Sequence, residues 1–193
     1  MFSSRVRALT MVLLGIPAVA IAQEQMKPPA GPITMSGQLV KAFGSMQKDI
    51  AEAASRMPED QYGFKPTPEI KPFGQLVAHL AIAQFRDCAV LKGEPSPKKD
   101  EKEEATRTKA EAIALLKAST DYCAPLVNAL DKESSLTEMA SVEKMQVQKG
   151  LIPIQLAVHG MEMYGTMAVY LRLKGLVPPM SDPERQMKMK KSQ

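Results

Sequence analysis

Tryptophan is absent, and only five phenylalanines and four tyrosines occur in 193 residues. That scarcity argues against a base-stacking surface for single-stranded nucleic acid. Charge of one sign is also lacking: 25 Lys and Arg stand against 21 Asp and Glu, a net of +4. Lysine and glutamate are interleaved, as in Lys98 to Lys109, which describes a solvated surface and not a basic nucleic-acid footprint. Only two histidines are present, His79 and His159, and only two cysteines, Cys88 and Cys123. A Ser-His-Asp or Cys-His catalytic arrangement has no recognisable spacing here. There is no phosphate-binding glycine loop and no pair of carboxylates at a telling interval. No long hydrophobic run occurs beyond the N-terminus, so no other segment is expected to cross a bilayer.

The N-terminus has the form of an export signal. Arg5 and Arg7 precede a short apolar run, Ala8 to Ala20, and Ala20-Ile21-Ala22 supplies a small-x-small cleavage pattern. Residues 1–22 are therefore expected to be removed, with the cut before Gln23. A periplasmic or secreted location follows. Arg5 and Arg7 leave with the signal and no acid does, so +4 falls to +2. Residues 23–34 read as a flexible leader and residues 181–193 as a disordered basic tail. In an oxidising compartment Cys88 and Cys123 are expected to pair, against the alternative of two buried thiols.

Between leader and tail, residues 35–180 read as all-α. A first helix runs from Met35 or Ser36 to Met57, with Leu39, Phe43, Met46, Ile50 and Ala54 on its apolar face and Pro58 ending it. Pro66 and Pro68 keep the following connection irregular, and Tyr62 and Phe64 are expected to fold back onto the bundle. A second helix starts near Pro72 and stops before Gly93. A third is expected from Lys99 or Asp100 to Leu130, with Asp87 on the second and Glu111 on the third facing water. Asp131 to Gly150 is polar, with one short helical turn expected near Val142 to Val147. No run shows clear period-two alternation. The fourth helix begins at Leu151 or Pro153 and ends at Lys174, with Gly175 as cap and Pro178-Pro179 beyond. Four such helices make a four-helix bundle.

The chemistry-bearing residues sit on helices two and four. Leu156, His159, Gly160, Met163, Met167 and Tyr170 recur at intervals of three and four, so His159 is placed on a buried face. His79 shares a face with Leu76, Leu80 and Ala83. Two inward histidines on two helices are either a metal site or two packed core residues. Met163, at i+4 from His159, is a soft donor suited to Cu(I), while Glu162 at i+3 could reach an ion or orient an imidazole. Met161 and Met167 lie beside them, and Met187 and Met189 add a further soft pair among 14 methionines, which otherwise fill gaps in a core. Glu162 and Tyr164 could instead hydrogen-bond across a helix interface. Arg172 and Lys174 suit the C-terminal end of a helix dipole.

Three segments carry a family resemblance: Met57-Pro-Glu-Asp-Gln-Tyr-Gly-Phe-Lys-Pro-Thr-Pro-Glu, Phe73-Gly-Gln-Leu-Val-Ala-His-Leu, and His159-Gly-Met-Glu-Met-Tyr-Gly with Tyr170-Leu-Arg-Leu-Lys-Gly-Leu-Val-Pro-Pro. They resemble the DinB-like superfamily of four-helix bundles, and together they cover nearly the whole chain after the signal. The resemblance implies a divalent metal, zinc or nickel, on one histidine of helix two and two histidines spaced i, i+4 on helix four. This sequence matches the first two positions with His79 and His159 and departs at the third, where Met163 stands. Relatives with known chemistry include thiol-dependent transferases and isomerases. Three functions remain open: a metal-dependent hydrolase or transferase acting on an unknown small molecule, a non-catalytic binding module with a degenerate metal site in a pocket between helices two and four, and periplasmic Cu(I) binding through Met and His. A homodimer is compatible with the pattern, though no stripe in the sequence demands one.

Overall fold

The computed structural model describes residues 31–102, 105–142 and 145–191. The expected signal peptide and most of the expected leader therefore lie outside the described residues. From Ile33 onward the chain forms one compact unit.

Helix α1 spans Met35–Arg56. The Thr34 hydroxyl caps it by accepting from the Gly37 amide at 3.1 Å, satisfying one of the amide groups that a helix start leaves unpaired. Pro58 closes off the other end, as the sequence indicates. Helix α2 spans Phe73–Lys92 and ends at Gly93, whose φ of 73° is left-handed and easy only for glycine. Helix α3 spans Lys109–Asn128. A short α4 (Glu133–Thr137) and a two-stranded antiparallel hairpin of β1 (Met139–Val142) and β2 (Met145–Gln148) lead into α5, Leu151–Leu173. After α5, the Leu176 amide donates to Leu171 O at 2.9 Å and the Gly175 amide to Arg172 O at 3.0 Å. That paired closure is the Schellman motif that Gly175 signals in the sequence.

The four long helices form an all-α bundle in which α1 packs on α5 and α3, and α2 packs on α3 and α5. Ile50, Phe73, Leu80, Val127, Met167 and Leu171 lie at its centre. Tyr62 does fold back: its hydroxyl donates to Ala54 O at 2.7 Å and its ring meets Phe73 edge-on at 5.3 Å. Phe64 packs edge-on against Tyr170 at 5.9 Å, under the Lys174 ammonium. Cys88 of α2 and Cys123 of α3 form a disulfide, with Cα atoms 5.4 Å apart, in the core between those helices.

Four expectations are corrected. The third helix does not begin at Lys99 or Asp100. Thr108 and Glu111 form a capping box that starts α3 later, and Arg107 ties up the preceding loop by donating to Glu101 at 2.9 Å and to Lys102 O at 2.7 Å. Met139–Val142 pairs with Met145–Gln148, Met139 opposite Gln148 and Ala140 opposite Val147, where a helical turn was expected near Val142 to Val147. Asp87 does not face water but is 8% exposed. Residues beyond Ser181 are not all without structure: α6 spans Pro183–Lys191. Arg185 on α6 forms an ion pair with Asp49 of α1, and Arg56 reaches Asp182 at 2.7 Å. The almost fully buried Asp49 carboxylate thereby acquires a cation, the condition under which a charge is held inside a fold.

Candidate metal centre

The candidate centre lies where α2 meets α5. Tyr170, near the end of α5, donates to Lys71 O just before α2 at 2.7 Å. The two helices therefore run antiparallel, which carries His159 back along α2 to His79. The rings meet with centroids 5.2 Å apart and planes at 90°. Both histidines are half-buried, neither sealed in the core nor in bulk water.

Burial is the main influence that pushes His159 below the ordinary imidazole pKa, and His79 adds to it. The Asp87 and Glu162 carboxylates pull the other way. A neutral imidazole keeps a nitrogen lone pair available, which is the form that ligates a metal.

The geometry can be tested against the ion that the pattern implies. Two imidazoles sharing a tetrahedral zinc, with each nitrogen at about 2.0–2.1 Å, hold their centroids roughly 5 Å apart. The observed separation meets that condition. The rest of the donor set is thinner. Met163 is buried at 9% exposure on the face one turn beyond His159, while Glu162 is exposed. Among the described residues no three His, Cys, Asp or Glu side chains are grouped to hold an ion. The fit therefore rests on the approach of the two imidazole rings, and Met163 is offered only by its helical spacing from His159.

Asp87 is the polar residue that sequence reasoning placed wrongly. It lies two turns beyond His79 on the same flank of α2. Arg86 Nε donates to its Oδ1 at 3.0 Å, and its buried Oδ2 has no hydrogen-bond partner among the described residues. A buried carboxylate oxygen left in that state calls for an explanation. The sequence signal was the i, i+8 spacing from His79, which keeps a residue within the same wide stripe of a helix, at its edge. Tyr164 is spoken for: its hydroxyl accepts from the Met180 amide at 2.8 Å and anchors the turn before α6. Glu111 is spent on the α3 cap. Arg172 at the end of α5 donates to the Ser181 hydroxyl at 2.8 Å.

An apolar groove of about 470 Å³ lies along the seam of α1 and α3, lined by Phe43, Gln47, Ala51, Ile113, Leu116 and Thr120 among others.

Comparison with known proteins agrees with this architecture. Residues 42–148 match the DinB superfamily. A DinB-like protein from Bacillus cereus ATCC 10987 superposes with a TM-score of 0.62 at 11% identity, covering 73% of this chain and 93% of that one. A DinB-like protein from Bacillus subtilis gives 0.57 at 22% identity, covering 72% and 92%. At such identities the likeness concerns the fold alone. No curated protein matches the sequence. The helical bundle and the match over more than half its length together place this chain in the DinB superfamily.

Proposed function

We propose that the protein binds one divalent metal between α2 and α5 through His79 and His159. Met163 is the third donor from the chain, and water fills the open positions. The observation that carries this reading is the approach of the only two histidines in the sequence, their ring centroids 5.2 Å apart. The depressed pKa of His159 supports it, because a proton competes less there. Glu162 and Asp87 act as the negative charges that favour a cation beside His159. A zinc-class ion with open positions supplies a bound water of lowered pKa and a Lewis acid, so the reaction class is hydrolysis or group transfer on a small molecule. Within that chemistry the chain holds the ion, and its half-buried imidazoles limit water at the site.

The same reading makes the protein exported, periplasmic or secreted. The basic and apolar N-terminus supports this, as does a disulfide that requires an oxidising compartment. N-terminal sequencing of the exported form is expected to begin at Gln23; retention of Arg5 in the exported form would contradict cleavage.

Elemental analysis after dialysis against zinc, nickel and Cu(I) tests the metal. About one equivalent of zinc or nickel is expected, with tighter binding in Met163→His, which supplies the stronger nitrogen donor. Cu(I) alone, lost in Met163→Leu, would replace this reading with soft-metal binding. A second reading is a non-catalytic binding module without metal. The apolar groove at the α1–α3 seam favours it, being of the size at which ligand pockets occur, about 300–1,000 Å³. No metal under any condition would leave that reading standing.

A further inference from the structure

Helix α5 is apolar almost all round, a composition typical of a helix surrounded by protein. Its inner face is indeed buried, through Leu156, Met163, Met167, Tyr170 and Leu171. Its outer face is equally apolar and is left uncovered by the other described residues. Ile154, Val158, Met161, Val169 and Leu173 are 43–63% exposed and recur at helical intervals along one stripe. Gly165 sits in the middle of that stripe, and a Cβ built on it would meet nothing within 4 Å. Only two charged residues interrupt the stripe, Glu162 and Arg172, and both are exposed.

We propose that this face is a homodimer interface, in which α5 packs antiparallel on α5 of a second copy about a twofold axis at the level of Met167. Such an axis sets each residue opposite the one equally far beyond Met167. Glu162 then lies beside the partner's Arg172, and Arg172 beside the partner's Glu162, so the two charges that would otherwise spoil an apolar seam neutralise each other twice. Val169 lies against the partner's Gly165, where the missing side chain lets the backbones approach. Met161 lies against the partner's Leu173. The same patch serves both protomers, as a twofold contact requires. A charge pair, a bump and hollow, and an apolar contact all fall into register at one choice of axis. That coincidence selects a second copy over an unrelated partner. About that axis the two copies of α5 overlap from Met161 to Leu173, about 18 Å at about 1.5 Å per residue, and Ile154 and Val158 extend the apolar stripe beyond the overlap.

The test is the mass of the purified protein by light scattering and by sedimentation over a range of concentrations. The wild type is expected to be a dimer. Gly165→Leu is expected to be a monomer of unchanged or higher melting temperature, because the site is open space in the single chain. Glu162→Arg and Arg172→Glu, each alone, set like charges side by side and are expected to weaken the dimer by roughly a hundredfold. The double variant Glu162→Arg/Arg172→Glu is expected to restore it. A monomeric wild type would overturn the proposal, as would a Gly165→Leu dimer of wild-type affinity. Failure of the double variant to recover affinity would overturn the register and with it the proposed interface.

Discussion

The Cys88–Cys123 disulfide closes a loop with a sequence separation of 35. In the chain-entropy account a cross-link of that span removes freedom from the unfolded chain that is worth about 4 kcal/mol at 25 °C. For a chain of this size each kcal/mol moves the melting temperature by about 2–4 °C, so reduction is expected to lower it by roughly 8–16 °C. Both cysteines are fully buried, so dithiothreitol acts slowly on the native protein and fast on the unfolded one. Equilibrium guanidinium unfolding with and without reductant is therefore the assay. The reduced protein should show a lower midpoint and also a steeper dependence on denaturant, because its unfolded chain is less compact. Cys88→Ala/Cys123→Ala should match the reduced protein to within the packing lost with two small side chains. A loss below about 1 kcal/mol would refute the reasoning, as would thiols that label in the unreduced, unfolded protein.

Other perturbations follow from the same contacts. Gly160 faces Met46, and an added Cβ would overlap the Met46 sulfur, so Gly160→Ala should cost about 1–3 kcal/mol in thermal unfolding. Combining it with Met46→Ala should cost less than the two separate losses, since the clash is then relieved. The folded state lowers the His159 pKa, chiefly by burial, so folding disfavours its protonation. Stability from this group is intact above the ordinary imidazole value of about 6.5, is lost as pH falls below it, and levels off once the folded pKa is passed. His159→Gln should flatten that part of the pH–stability curve; an unchanged slope would contradict the assignment. Arg185→Ala removes the cation paired with Asp49 and should cost about 1.5–3 kcal/mol, with faster amide exchange across α6.

Strong local punctuation made much of this fold legible. Pro58 and Gly93 end α1 and α2 where the sequence indicates, and Gly175 closes α5 with the bonds that its left-handed backbone permits. The third helix was misjudged because the run from Lys98 to Lys109 is rich in good helix formers. The capping box of Thr108 and Glu111 outweighs that propensity, and its Thr-x-x-Glu spacing was readable. The hairpin escaped notice because each strand has four residues, too few for period two to stand out. Docking of α6 depends on long-range ion pairs, Arg185 with Asp49 and Glu52 and Arg56 with Asp182, which no local pattern encodes.

At the candidate centre, helical spacing placed His79 and His159 on inward faces, but their meeting required the antiparallel pairing of α2 with α5. The uncovered stripe of α5 was hidden for a related reason. A helix apolar on every side reads in sequence as simply buried, and only the packed bundle reveals which face is left over.

The central claim is that His79 and His159 hold one ion together. The measurement that tests it most directly is a zinc titration of the wild-type protein, His79→Ala and His159→Ala, each freed of chelator and checked for intact helical structure. One equivalent bound by the wild type and none by either variant is the predicted result. Binding that survives in either variant would contradict a shared site.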